Sequence, residues 1–259
     1  MKRGRGDREE ELALPIALRE LEEEAFARGF TCVAGLDEVG RGPLAGPVMA
    51  AAVVFPRGLV NPDIKDSKIL TAKQREDLVP WIKENAVCWG IGSSGPEEID
   101  RINILQASLL AMARALDELT EWPDYLLIDG IHPIPHALLG RSSNHESPRD
   151  PSAGRPTAMR DVPHQRTVKH GDALCVSIAA ASILAKVARD ELMTEYDRAY
   201  PGYGFAGHKG YGSATHLSAI RQYGPSPIHR RSFRPVRESR VSDGSQGPVD
   251  DAGPLLPRR

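Results

Sequence analysis

Two apolar stretches separated by a breaker-rich loop constrain the fold of this chain more than any other feature. Thr31 to Leu36 reads as a short strand that ends at Asp37-Glu38, where the glycines and prolines of Gly40 to Pro47 interrupt the chain. Val48 to Phe55, the longest apolar stretch, then reads as a buried strand. Two strands joined by a short loop of this kind predict an antiparallel pair. Thr71 can cap a helix running to about Asn85, and Val87 to Ile91 reads as a third strand. Pro96, Glu97 and Glu98 have the character of a helix first turn, and helical periodicity follows through Leu105, Leu109, Met112 and Leu116. Tyr125 to Ile128, bounded by Pro123 and Gly130, reads as a central buried strand ending at Asp129. Residues 173–199 contain no Gly or Pro and predict a long helix, and Thr215 to Tyr223 predict a short one. The expected fold class is therefore α/β, with antiparallel strands first and then a strand reached by a helical crossover.

The rest of the chain frames this domain. Residues 8–28 mix Leu, Ala and Glu at helical spacing and predict an amphipathic lead-in helix, so residues 1–28 form one segment. Residues 29–237 form the domain itself. The stretch near 136–162 and the tail over 238–259 are rich in Pro, Ser, Arg and Asp, and both are expected to be disordered. No apolar run approaches the roughly 20 residues that span a bilayer, and no apolar core follows the basic start Met1-Lys2-Arg3. A cytoplasmic protein without a membrane partner is expected, with a monomer as the default assembly. Cys32, Cys88 and Cys175 are odd in number, far apart and in apolar surroundings, which predicts reduced core thiols. The formal net charge of −2 carries no nucleic-acid signature, yet His164 to Arg237 holds 11 Lys/Arg against 5 Asp/Glu. A neutral total can thus conceal a basic face that meets phosphates.

Carboxylates carry the chemistry. Asp37 and Glu38 end one predicted strand, Asp129 ends another, and Asp172 begins a predicted helix after His170-Gly171. Acids at strand ends and a helix start can converge on one sheet edge, and crowded carboxylates need cations to offset their repulsion. Hard divalent ions with oxygen ligands meet that need, and two of them can hold both the attacking and leaving oxygens of a phosphodiester. Spacing alone leaves open that these acids are turn residues, or in the case of Asp172 a helix cap. Gly40-Arg41-Gly42 with Gly46 lacks the spacing and following helix of a dinucleotide fingerprint, and no P-loop occurs, so nucleotide-cofactor binding is not expected. The glycines do permit close approach of backbone N–H groups to a ligand. His132 and His136 are separated by Pro133 and Pro135, and the eight histidines offer no zinc signature.

Several blocks together resemble the ribonuclease HII family. They are Gly35 to Val48 (GLDEVGRGPLAGPV), Asp66-Ser67-Lys68 with Leu70, Leu127 to Gly130, Gly171-Asp172, Ser177 to Asp190, Tyr200-Pro201, His208 to Gly212 and Pro227 to Arg230. The resemblance covers residues 15–235 apart from the insert. It implies a ribonuclease H-like mixed sheet flanked by helices, with a small helical C-terminal extension. It also implies a four-carboxylate site at Asp37, Glu38, Asp129 and Asp172 holding two Mg²⁺ or Mn²⁺ ions, with Asp190 the rival for fourth ligand. The implied substrates are RNA–DNA hybrids and duplex DNA containing ribonucleotides. By the same resemblance the Gly40-Arg41-Gly42 backbone contacts the ribonucleotide and Tyr211 packs at the neighbouring sugar. Lys169, Lys186, Arg189 and Lys209 are candidate phosphate contacts. The loop GRGPLAGPV, preceded by only 39 residues, excludes the sister ribonuclease HIII group, which carries a different loop and an extra N-terminal domain.

The chain departs from the family pattern twice. Asp129 and Asp172 stand 43 positions apart, a surplus that coincides with the 136–162 stretch. His170 stands where a lysine commonly precedes the Gly-Asp pair. Two other functions remain to be distinguished: a non-catalytic nucleic-acid-binding protein, and another nuclease on the same fold, such as a junction resolvase.

Overall fold

Alternation along one strand explains how the sheet is buried on both faces. In Val48–Val54 (β2), Ala50, Ala52 and Val54 face one layer of helix while Ala51 and Val53 face another. The computed structural model describes residues 19–239 except 60, 62, 65, 66 and 140–160. Most of the lead-in segment, the bulk of the 136–162 stretch, Asp66 and nearly all of the tail lie outside the described residues.

β2 pairs antiparallel with Val33–Val39 (β1) and with Cys88–Ser94 (β3). Tyr125–Asp129 (β4) runs parallel to β1, and His164–Val168 (β5) runs parallel to β4. The sheet order is β3-β2-β1-β4-β5. The expected antiparallel pair and crossover are both present, but the middle strand is β1, and β4 lies one place from the edge. β5 has no counterpart in the sequence reading. An edge strand can be polar, and His164-Gln165-Arg166-Thr167 offers no apolar run; only Val168 is buried.

Of the helices, Glu20–Ala27 (α1) realises the described end of the lead-in segment. Ala72–Asn85 (α2) begins at the predicted Thr71 cap, completed by Gln74 as a capping box. Pro96–Asp117 (α3) covers one face of the sheet and Val176–Ala199 (α4) the other, beside α2. Gly90 and Gly92 let α3 approach β3, since a Cβ on either would stand 2.2 Å from an α3 carbonyl. α4 starts later than expected. A single 3₁₀ turn, Gly171–Ala173, precedes it, so Asp172 sits in that turn rather than at the head of a helix. His170 enters the turn in the left-handed conformation (φ 59°, ψ 40°), which a continuous helix excludes. Phe205–His208 (α5), Ala214–Tyr223 (α6) and Arg234–Ser239 (α7) form the helical C-terminal part, of which the sequence reading placed α6. It packs on α4 through Met193, Tyr203, Phe205, Ala219 and Ile228, together with Ala45 of the loop between β1 and β2. Leu139, near the start of the stretch read as non-core, and Ile134, just before it, are buried against the α3 layer.

Candidate active site

Strand geometry places the first three acids. Asp37 and Glu38 lie in the last three residues of β1, opposite Ala51 and Ala50 of β2, at the strand end where the sequence places them. Their side chains must therefore leave opposite faces of the sheet. Asp37 meets Ser182 of α4, while Glu38 opens into a 160 Å³ cleft with Leu105, Leu109 and Met112 of α3 and with Asp129. Since Leu36 pairs with Ile128, Asp37 and Asp129 reach the C-terminal ends of adjacent parallel strands at the same level. That edge is where ligands meet open α/β sheets.

Asp172 is tied to this edge by the backbone. The Gly171 N–H donates to Asp129 Oδ1 at 2.7 Å, and Lys68 Nζ lies 2.5 Å from Asp172 Oδ2. Asp37 Oδ1 accepts from the Glu38 N–H at 2.7 Å, and Ser182 shares a 2.8 Å hydrogen bond with Ser67. Arg41 reaches Glu38 at 3.0 Å. Burial pushes the Asp37 carboxyl well above the usual carboxylate range, and Glu38 and Asp129 push it further. Glu38 is raised by burial despite Arg41, and Asp129 by burial and then Asp172, against the opposing Gly171 hydrogen bond. The site thus gathers more negative charge than it neutralises.

Among the described residues no three acids close into a ready metal cage. The donor set nevertheless fits hard divalent ions. All four side chains offer oxygen, three of them have a proton affinity raised first by burial and then by neighbouring acids, and an open arrangement leaves positions for waters and phosphate oxygens. Asp190 does not join this group. It pairs with Lys186 one turn away on α4 at 2.7 Å and lines a separate cleft with Arg75, Thr194 and Lys209.

The loop from Gly40 to Pro47 closes the other side. Arg41 and Gly42 are exposed, and the half-exposed Tyr211 ring stands 3.4 Å from where a Cβ on Gly42 would sit. Of the basic candidates, Lys169 is exposed beyond β5. Lys209 turns its Nζ back to the Asp190 carbonyl and Thr194 Oγ1. Arg189 requires correction as a phosphate contact. It is 0% exposed, and its guanidinium donates to the carbonyls of Ala45, Pro47 and Lys209. The sequence reading gave no role to Lys68, Ser182 or Arg230; all three lie within quoted blocks, but only the fold shows what they touch. All three cysteines are free, as expected.

Behind Tyr211 lies a buried histidine pair whose tautomers follow from its partners. The Ser226 N–H donates to His229 Nδ1 at 2.9 Å, so the His229 proton is on Nε2 and is donated to His216 Nε2 at 3.0 Å. His216 Nδ1 then donates to the Tyr211 carbonyl at 2.8 Å. A proton added to either ring would set two N–H groups against each other. Burial lowers both rings, His229 to about 4. Because the folded value lies below the unfolded value of 6.5, the contribution is complete above pH 6.5 and is lost as pH falls toward 4. For His229 alone this is about 3 kcal/mol. Ring chemical shifts that titrate near 6.5 in the folded protein would contradict this arrangement; silent shifts between pH 7 and 5, with falling unfolding free energy, are expected.

A mixed sheet with acids gathered at the ends of its parallel strands defines a ribonuclease H-like hydrolase. The comparisons narrow the class. Residues 34–236 match the family model of Ribonuclease HII. The Ribonuclease HII of Geobacter sulfurreducens is 52% identical over 222 residues, spanning 86% of this chain and 91% of that protein. The ribonuclease H2 crystal structure from Pyrococcus horikoshii OT3 superposes with TM-score 0.62 at 26% identity, covering 82% of this chain and 98% of the other. A Bst-RNase HIII in complex with Mn²⁺, 20% identical with TM-score 0.55 over 85% of this chain and 72% of its own, shares the fold. The chain belongs to the ribonuclease HII family, and so is an endonuclease acting on the RNA strand of RNA–DNA hybrids.

Proposed function

We propose that the protein also incises duplex DNA 5′ to embedded ribonucleotides, using Asp37, Glu38, Asp129 and Asp172 as ligands for two divalent ions. The observation carrying this reading is the level placement of Asp37 and Asp129 on adjacent parallel strands, with Asp172 drawn in through the Gly171 N–H. Two Mg²⁺ or Mn²⁺ ions held there would activate a water for in-line attack and stabilise the leaving 3′-oxygen, giving 3′-hydroxyl and 5′-phosphate ends. Mn²⁺ is the ion named for the ribonuclease HIII neighbour, which makes it the second metal to test. The protein side chains hold position and charge, and no histidine is needed as base. Gly40, Arg41 and Gly42 present backbone to the 2′-hydroxyl, the group that separates RNA from DNA, and Tyr211 stands beside them to pack on the neighbouring sugar. Lys169, Lys186 and Lys209 remain the candidate phosphate contacts, Lys186 and Lys209 on release from their present partners Asp190 and Thr194, and such contacts give salt-dependent affinity. The protein is taken to act as a cytoplasmic monomer; among the described residues no helix is long and apolar enough to cross a membrane.

The test is cleavage of a labelled DNA duplex carrying one ribonucleotide, with Mg²⁺ or Mn²⁺ and then with chelator. Metal-dependent incision 5′ to the ribonucleotide is the expected result. Cleavage of long hybrids without that incision would keep the chemistry and remove the junction role of Tyr211; cleavage of all-DNA junctions would favour a resolvase. Asp172→Asn is expected to lose at least about 100-fold in rate, whereas Asp190→Asn stays within about threefold, because its ion pair lies on the partly exposed α4 surface. Equal losses would restore Asp190 as a ligand.

A further inference from the structure

Two fully buried arginines lie under the Gly40–Pro47 loop, and among the described residues neither forms an ion pair with a carboxylate. Both Arg189 and Arg230 are 0% exposed. Arg230 donates from Nε to the Gly46 carbonyl at 2.9 Å, and from its two terminal nitrogens to the carbonyls of Arg41 at 3.0 Å and Gly40 at 2.5 Å. Arg189 takes Pro47, Ala45 and Lys209 in the same manner. Each guanidinium therefore satisfies its buried donors on backbone oxygen, five of the six acceptors belonging to this one loop. Burying two like charges side by side is costly, and burial with Arg189 beside it lowers the Arg230 guanidinium to about 9. A cost of this kind persists where the geometry it enforces is used.

The enforced geometry follows from peptide planarity. In a trans peptide the carbonyl of one residue and the N–H of the next point in opposite directions. Arg230 draws the Gly40 and Arg41 carbonyls inward, so the N–H groups of Arg41 and Gly42 must point outward. Both residues are exposed, and neither N–H has an acceptor within the described protein. Two consecutive outward N–H groups form a concave donor pair suited to an oxygen ligand. Gly40, at φ 93°, supplies the turn, and a Cβ there would stand 2.2 Å from Arg189 Nε.

We infer that Arg230, braced by Arg189, is a positioning residue for ribose recognition: it grips the carbonyls of Gly40 and Arg41 so that the Arg41 and Gly42 N–H groups face the 2′-hydroxyl. The inference rests on the proposed role of that loop in contacting the ribonucleotide. The guanidinium touches no substrate, and its effect is on discrimination between ribose and deoxyribose rather than on the chemical step.

Binding without metal separates these effects. Affinity is measured in chelator for a DNA duplex with and without one ribonucleotide, using wild type, Arg230→Lys and Arg230→Met, with each fold checked by thermal unfolding. Wild type is expected to prefer the ribonucleotide duplex. Arg230→Met should cut that preference about tenfold while leaving affinity for all-DNA duplex within about twofold, with Arg230→Lys between them. If Arg230→Met does not fold, the Lys variant carries the comparison, because it keeps the cation and loses the forked grip. An undiminished preference in a folded variant overturns the inference, as does an equal loss on both duplexes. A wild type with no preference at all removes instead the underlying reading of the loop.

Discussion

Asp37→Asn is expected to abolish cleavage and, in chelator at pH 8, to make the protein more stable. The rate should fall by at least about 1000-fold if Asp37 holds the metal that stabilises the developing charge. The stability gain has a separate cause. Asp37 is buried, and burial together with Glu38 and Asp129 raises its carboxyl well above the ordinary value. A carboxyl whose folded pKa exceeds its unfolded value favours the fold while protonated. That advantage is complete below the unfolded pKa near 4 and is lost as pH rises through the folded pKa. Above the folded pKa the ionised group opposes folding, and asparagine removes the charge at nearly the same volume. Its amide oxygen can still accept from the Glu38 N–H, as Asp37 Oδ1 does at 2.7 Å. A gain of about 1–3 kcal/mol follows, on the order of 5 °C in Tm. The gain should shrink as pH falls toward 4, because the wild-type carboxyl is then neutral. Saturating Mg²⁺ should stabilise wild type more than the variant, since an ion bound only to the folded site adds to stability. Calorimetry across pH with a parallel hybrid-cleavage assay checks both halves; a variant that stays active, or that is less stable than wild type in chelator at pH 8, would take Asp37 out of the site.

The parts of this fold that were legible in the sequence are those with local causes. The Thr71 cap, the apolar runs of β2 and β4, and the unbroken stretch of α4 each declare themselves within a few residues. The four carboxylates could be proposed because strand ends and breakers are visible locally, and the block resemblance placed the same four. What could not be read depends on long-range contact. β5 is made a strand by its pairing with β4, not by its own composition. Arg189 looks from its sequence like a surface cation on a helix, and only the return of the β1–β2 loop over α4 buries it. Arg230 is separated from Gly40 by 190 positions, and no local signal connects them. Asp172 was placed at the head of α4 because His170 gives no warning of its left-handed backbone.

Gly35→Ala should cost more stability than its one added carbon suggests. Gly35 lies in the middle of β1, and a Cβ there would stand 2.3 Å from the Ser177 carbonyl carbon and 2.4 Å from the Ile178 nitrogen. These are backbone atoms of the first turn of α4, so no rotamer change relieves the overlap. The helix start is also held from the far side: the Ser177 N–H and hydroxyl both donate to the buried Glu22 carboxylate, at 3.1 and 2.8 Å. Overpacking usually costs about 1–3 kcal/mol, and this site belongs at or above the upper end because neither layer can yield. The same displacement reaches the chemistry. Asp172 precedes Ser177 by five residues, and Ser182, on the same helix, holds Asp37. A shift of α4 away from β1 therefore separates Asp172 from Asp37 and Asp129, and folded Gly35→Ala should lose cleavage rate as well as Tm. Gly207→Ala is the control. Nothing lies within 4 Å of a Cβ at Gly207, which sits in α5 without a positive φ, so alanine there should be neutral or stabilise by up to about 1 kcal/mol. Denaturant unfolding of both variants, with hybrid cleavage assayed on the folded fraction, compares one methyl group in two settings. If Gly35→Ala proved as stable and active as Gly207→Ala, the close β1–α4 contact would not be what holds Asp172 at the strand ends.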